Sequence, residues 1–316
     1  MLWLVLIPLI PFAGLAALWL IGERGHLLLP STRAAIHRTD DGDRNLTGGG
    51  NGKRTRSSFL NAVHGYVYGR WPYQYIDFAI NVLLPGMSPG VKRWWADRYH
   101  GKVIPNELAR RIITLDREIK RTDLERIIPY PTARDIVLKG PPSVTLLDCP
   151  CRQARANPCQ PTDVCMIVGG GQFTLEHHPD RSRRITQEEA LDLLQAEHER
   201  GHVHTAYFKD ACDNRFYAIC NCCSCCCGGL EAMVKHGVPM VCSSGYVAEV
   251  DEAACIACGD CVAACPFEAL TLNGTAVVDW EKCMGCGVCE GQCETGGIAL
   301  ALDERKGLPL DVHAIA

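Results

Sequence analysis

Residues 255–293 read CIACGDCVAACPFEALTLNGTAVVDWEKCMGCGVCEGQC, and the cysteines in this stretch decide how the rest of the chain is read. Cys255, Cys258, Cys261 and Cys265 are spaced C-x2-C-x2-C-x3-C and closed by Pro266. Cys283, Cys286, Cys289 and Cys293 repeat the spacing, every member displaced by 28 residues. A tight C-x2-C-x2-C loop can wrap three corners of a polynuclear metal centre, leaving the fourth corner to a more distant thiolate. Zinc is the alternative for any single C-x2-C pair, but an eightfold duplicated pattern argues against it. Between the motifs, Asn273-Gly274 separates two β-prone runs, a strong hairpin signal. Further short strands are expected around residues 247–250 and 298–300.

This duplication resembles the bacterial two-[4Fe–4S] (dicluster) ferredoxins, and the resemblance covers about residues 249–303. It implies a ferredoxin-like fold, electron transfer and two [4Fe–4S] clusters. It also implies a crossed ligand set, with Cys255, Cys258, Cys261 and Cys293 on one cluster and Cys283, Cys286, Cys289 and Cys265 on the other. The chain departs from the family at Glu294, which follows Cys293 where a proline is usual, so that turn gains an N–H and a charge.

Upstream lies a second cysteine-dense region. Cys149, Cys151, Cys159 and Cys165 sit in DCPCRQARANPCQPTDVC, and Cys220, Cys222, Cys223, Cys225, Cys226 and Cys227 in ICNCCSCCCGG. Neighbours such as Cys222 and Cys223 tend to point apart, so the block is expected to feed two sites. Its ten thiols suffice for two further [4Fe–4S] clusters, for one larger cluster, or for a zinc–thiolate site; two further cubanes are the favoured reading. Arg152 and Arg155 would offset thiolate charge. The region resembles ferredoxin-type proteins in which a C-x-C-R segment and a cysteine-rich segment precede the dicluster domain, a likeness that implies no activity. Cys212 and Cys242 stand apart and read as ordinary buried thiols.

All twenty cysteines of the 316 residues fall between Cys149 and Cys293, about 14% of that window, which excludes an ordinary globular enzyme with incidental thiols. Net charge is −4, but residues 22–140 carry 20 Lys+Arg against 12 Asp+Glu, and residues 141–316 carry 12 against 24. Phosphate would repel the cysteine-bearing half, so no nucleic-acid partner is expected. Nor is a nucleotide partner: Gly48–Gly52 with Lys53 lacks phosphate-loop spacing, and no catalytic constellation emerges.

Met1 to Ile21, MLWLVLIPLIPFAGLAALWLI, is uncharged and long enough to cross a bilayer, with Trp3 and Trp19 near its ends. Arg24, Arg33 and Arg38 follow it. The expectation is therefore a single-pass cell-membrane protein, N-terminus outside and C-terminal domains in the reducing cytoplasm, where metal ligation prevails over disulfides. A cleaved secretory signal is the rival reading. Residues 58–100 hold ten of the 22 aromatic residues, for lipid contact or for a helical core and partner surface. Leu108, Ile112, Leu115 and Ile119 predict a helix after Pro105. Thr186 with Glu189 predicts a capping box, and His202, Val203 and His204 a strand start with surface or hydrogen-bonded imidazoles.

The fold class expected is α+β: an N-terminal transmembrane helix (1–21), a flexible linker (22–57), a basic, aromatic-rich helical region (58–140), a cysteine-rich α/β middle domain (141–246), a ferredoxin-like dicluster domain (247–303) and a tail (304–316). The function expected is membrane-anchored electron transfer between a partner oxidoreductase and a membrane redox complex or quinone-linked acceptor. The alternatives are a redox enzyme subunit with a substrate-binding central cluster, or a zinc-braced assembly subunit.

Overall fold

A computed structural model describes residues 19, 21–37, 56–121, 123–129, 135–212 and 214–315. The chain divides into two compact units, residues 1–42 and 43–316. Within the first, helix runs over 21–27 and over Pro30–His37.

The second unit is organised by a seven-stranded sheet: β1 (Tyr99–Val103), β2 (Val144–Asp148), β3 (Asp163–Val168), β4 (Ser182–Ile185), β5 (Val203–Lys209), β6 (Arg215–Cys222) and β7 (Val241–Cys242), in the order β4-β2-β3-β6-β5-β1-β7. Neighbours run antiparallel except β1 with β7. Strands alternate their side chains between two faces. Val144, Leu146, Met166, Val168, Ala206 and Phe208 point to a face packed with Leu108, Ile112 and Leu194. The intervening Leu147, Cys165, Ile167 and Tyr207 point to the other, where Cys222 and Cys227 are buried. All seven residues of β5 are buried, because both faces of the sheet are covered.

On the first face lie α1 (Asn106–Ile113) and α2 (Gln187–Glu199). The capping box opens α2: Glu189 N–H donates to Thr186 Oγ1 at 3.1 Å, and Thr186 N–H to Glu189 Oε2 at 2.8 Å. Helix α1 is shorter than its apolar spacing predicts. It ends at Thr114, and Ile119 instead begins a strand, Ile119–Arg121, paired with Ile136–Leu138.

In the C-terminal region, β8 (Tyr246–Val250) pairs with β11 (Ile298–Leu302), and β9 (Leu270–Asn273) with β10 (Thr275–Val278) around Gly274 at φ +80°. The sequence duplication reappears as two short helices, α3 (Asp260–Ala264) and α4 (Val288–Gly291). Each is entered through a left-handed glycine, Gly259 at φ +91° and Gly287 at φ +82°.

The expected fold class needs two corrections. A transmembrane helix, and with it the single-pass placement in a cell membrane, is overturned: among the described residues no helix is long and apolar enough to cross a membrane. The helix over 21–27 carries Glu23, Arg24 and His26, while residues 1–18 and Leu20 of the expected span lie outside the described residues, as do 38–55 of the expected linker. Second, the region 58–140 is not merely helical, since β1 enters the central sheet between β5 and β7. Its sequence, YHGKV, has no alternating apolar pattern because His100 and Lys102 are buried there alongside Gly101.

Phe208 is fully buried and its ring lies 5.8 Å from that of Phe216. Phe208→Ala should lower unfolding free energy by about 3–5 kcal/mol, read as a fall in the urea midpoint at unchanged slope.

Candidate metal centres

The duplicated motifs bring eight thiols into two groups of four. Cys255, Cys258, Cys261 and Cys293 line one cavity of about 350 Å3. Cys265, Cys283, Cys286 and Cys289 line another of about 330 Å3. These are the crossed sets that the ferredoxin resemblance implies. Backbone N–H groups point at the sulfurs: Ala276 at Cys255 Sγ (3.4 Å), Ala269 at Cys265 Sγ (3.3 Å) and Ala248 at Cys283 Sγ (3.5 Å). Gly285 permits the tight loop, since a Cβ there would collide with the Tyr246 carbonyl. Glu294, in the usual proline position, is exposed.

The electrostatics fit a cationic core. Burial, reinforced by the neighbouring thiols, pushes Cys289 up to about 12 and Cys286 higher still. Such thiols stay protonated until positive charge lies among them, so loading iron would release protons. At the exposed edge the direction reverses, because the Thr295 hydroxyl and the N–H groups of residues 295–297 hold Cys293 below the ordinary thiol value.

The ten upstream thiols also separate into two sets. Cys159, Cys223, Cys225 and Cys226 place their sulfurs within 4.8 Å of one another, with Cys159 Sγ and Cys225 Sγ 2.7 Å apart. Cys159 N–H donates to Cys226 Sγ at 3.4 Å. The other six form a continuous chain of side-chain contacts, Cys149 to Cys151, Cys151 to Cys227, Cys227 to Cys222, Cys222 to Cys220 and Cys220 to Cys165. Cys227 Sγ lies 3.2 Å from Cys222 Sγ. Strand β6 delivers Cys220 and Cys222 at alternate positions, hence to one face. Past its end, the turn sends Cys223, Cys225 and Cys226 to one set and Cys227 back to the other. Gly228 opens α5 (Gly228–Val234) directly after this turn, where a Cβ would strike Ile80. Burial pushes Cys223 up to about 12 and Cys225 up to about 11. Cys212 is buried, and Cys242 pairs in register with Lys102; both stand outside these sets.

Arginines brace the block. Arg152 is 1% exposed and donates to Glu197 Oε2 (2.8 Å), to the Asn221 carbonyl (3.2 Å) and to the Pro161 carbonyl. Glu197 is fully buried and also meets Arg200 at 2.8 Å and His202 Nδ1 at 2.7 Å. Arg155 pairs with Glu231 and donates to the Cys226 carbonyl at 3.1 Å. His204 Nδ1 donates to Asn221 Oδ1 at 2.7 Å, between Cys220 and Cys222 in sequence, and burial holds that imidazole down at about 4, hence neutral. His202 and His204 are thus hydrogen-bonded groups; Glu197 and Asn221, which brace the thiol block, carried no motif in the sequence.

The dicluster region packs on this domain through its second motif. Gln292 Nε2 donates to the Glu199 carbonyl at 3.0 Å, Ser244 Oγ to the Gly285 carbonyl at 2.7 Å, and a Cβ on Gly291 would meet His198. The first motif faces outward, with Cys258 exposed and Ile256 70% exposed.

Burial works to raise the Glu197 carboxyl pKa, but hydrogen bonds from His202 and Arg152 outweigh it and the value falls below the ordinary one. A depressed folded value contributes stability above the unfolded value, about 4.3, that is lost as pH falls through the folded value. Arg152→Met leaves the buried carboxylate to Arg200 and His202 and should cost about 1–3 kcal/mol at neutral pH, with the deficit shrinking in acid unfolding titrations.

No curated protein matches the chain. Residues 248–294 match the family model described as a 4Fe-4S dicluster domain, so this part of the chain holds [4Fe–4S] clusters and serves iron–sulfur electron transfer, and the cysteine-rich middle region points to additional sites.

Proposed function

We propose that this chain is an iron–sulfur relay in which four thiol sets run from an exposed docking end to two central sites. The observation that carries this reading is the order of the sets. In the first set Cys258 is exposed and Cys255 and Cys293 are half-buried, while in the second Cys283, Cys286 and Cys289 are buried on a segment packed against the domain that contains the ten upstream thiols. When bound, [4Fe–4S] clusters supply one-electron transfer, and the protein's part is spacing, N–H···S bonding and solvent exclusion. Cys159, Cys223, Cys225 and Cys226 would hold one central cluster. Cys149, Cys151, Cys165, Cys220, Cys222 and Cys227 would hold the other, with more thiols than a cubane needs.

The docking end is acidic. Glu252, Asp260 and Glu294 are exposed in the two segments that carry Ile256, Cys258 and Cys293. That suits a redox partner with a basic surface, steered by opposite charge. Its reaction rate should fall as ionic strength rises; a salt-independent rate would exclude such steering.

Iron and acid-labile sulfide on anaerobically purified protein test the relay. About 16 iron atoms per chain are expected for four cubanes, and about 8 with stoichiometric zinc would refute it in favour of a zinc-braced middle domain. Cys223→Ala should abolish one central EPR signal and leave the other, and Cys220→Ala the reverse; joint loss in both variants would mean a single larger cluster.

A further inference from the structure

The six-thiol set borders a space roomier than either dicluster cavity. Cys149, Cys151, Cys165 and Cys220 contribute to its lining, and its volume is about 590 Å3. The two dicluster cavities, also lined by four thiols each, measure about 350 and 330 Å3. The additional room is bounded by Tyr68, Tyr99, Tyr217 and Ile76. A neighbouring cavity of about 460 Å3 shares Tyr68, Tyr99, Ile76 and Cys151 and adds Lys209.

At the tyrosine wall the first cavity offers phenol hydroxyls, the second adds the Lys209 ammonium, and His178, which also lines the first, is engaged with the Gly69 carbonyl at 2.8 Å. Tyr68 Oη and Tyr217 Oη are 2.8 Å apart. One hydroxyl donates to the other, so one of the pair's two hydrogens is left over; phenols are neutral at ordinary pH. Lys209 is 2% exposed, and its ammonium lies 4.8, 5.3 and 4.8 Å from the ring centroids of Tyr68, Tyr75 and Tyr99. Its carboxylate neighbour, Asp210 Oδ1, is 3.7 Å away, beyond hydrogen-bond reach. Flat aromatic and aliphatic walls with surplus donors select a planar apolar molecule carrying an acceptor oxygen. A thiolate-ligated centre alongside is negatively charged and disfavours an anion there.

We propose that this cavity binds a small neutral aromatic carbonyl compound against the six-thiol centre, the ring between Tyr68, Tyr99 and Ile76 and the oxygen turned to the Tyr68–Tyr217 hydroxyl pair. The preference for a neutral ligand rests on that thiol set being a metal centre; the pocket itself does not.

Equilibrium dialysis of anaerobically prepared holoprotein against acetophenone tests the site, with ethylbenzene and benzoate as comparators. Saturable binding of one acetophenone per chain is expected, at least tenfold tighter than either comparator, with a shift in a central EPR signal. The double variant Y68F/Y217F should weaken acetophenone about tenfold, to the level of ethylbenzene. Ile76→Trp, which fills the cavity from its helix, should abolish binding. Absence of saturable binding, unchanged affinity in both variants, or tighter binding of benzoate would overturn the proposal. Failure of the relay reading shows separately, as missing central iron in the same preparations; acetophenone bound to such protein with the expected variant effects would sustain the pocket while the relay fell.

Discussion

Six cysteines in the eight residues 220–227 divide between two thiol sets, and this division shapes the middle of the molecule. A strand sends alternate side chains to opposite faces. β6 therefore presents Cys220 and Cys222 on the face that carries Cys165 from β3, with the intervening Asn221 on the other. The turn that follows carries Cys223, Cys225 and Cys226 toward Cys159, then returns Cys227 to Cys222. One loop thereby serves two thiol sets, and the geometry of each depends on the other.

That arrangement imposes an electrostatic cost which the surrounding residues answer. Burial raises Cys223 to about 12, partial burial and the neighbouring thiols raise Cys225 to about 11, and such thiols ionise together only around a cationic core. Arg152 and Arg155 come from the short segment between Cys151 and Cys159, and their acidic partners Glu197 and Glu231 come from helices elsewhere in the chain. Burying Arg152 and Glu197 is tolerable because nearly every polar atom finds a partner, including two backbone carbonyls at the thiol loops. The thiol-bearing loops and the helix face of the sheet are thus joined by a buried ion pair.

The aromatic residues of 58–100 take part in the same construction. Tyr68 reaches Tyr217 on β6, Tyr99 stacks on Tyr207 at 4.9 Å, and together they close the sheet face over the six-thiol set. Trp94 and Phe78 remain exposed, so the density of rings in the sequence marks a core lining together with a surface, where composition alone left lipid contact and core packing equally open.

The spacing of the cysteines by itself marked the dicluster region, because the 28-residue repeat of four ligands carries the resemblance to two-[4Fe–4S] ferredoxins. The Asn273-Gly274 hairpin and the Thr186–Glu189 cap were legible too: each is a local device whose chemistry lies within four residues. Tertiary structure alone decided the rest. The partition of ten central thiols into four and six depends on which loop ends meet across the sheet. The strand at Tyr99–Val103 depends on burying His100 and Lys102, which no periodicity announces. Glu197 and Asn221 became braces only when strands and helices distant in sequence converged. Contacts of that range are set by long-range packing, and a linear pattern carries no record of them.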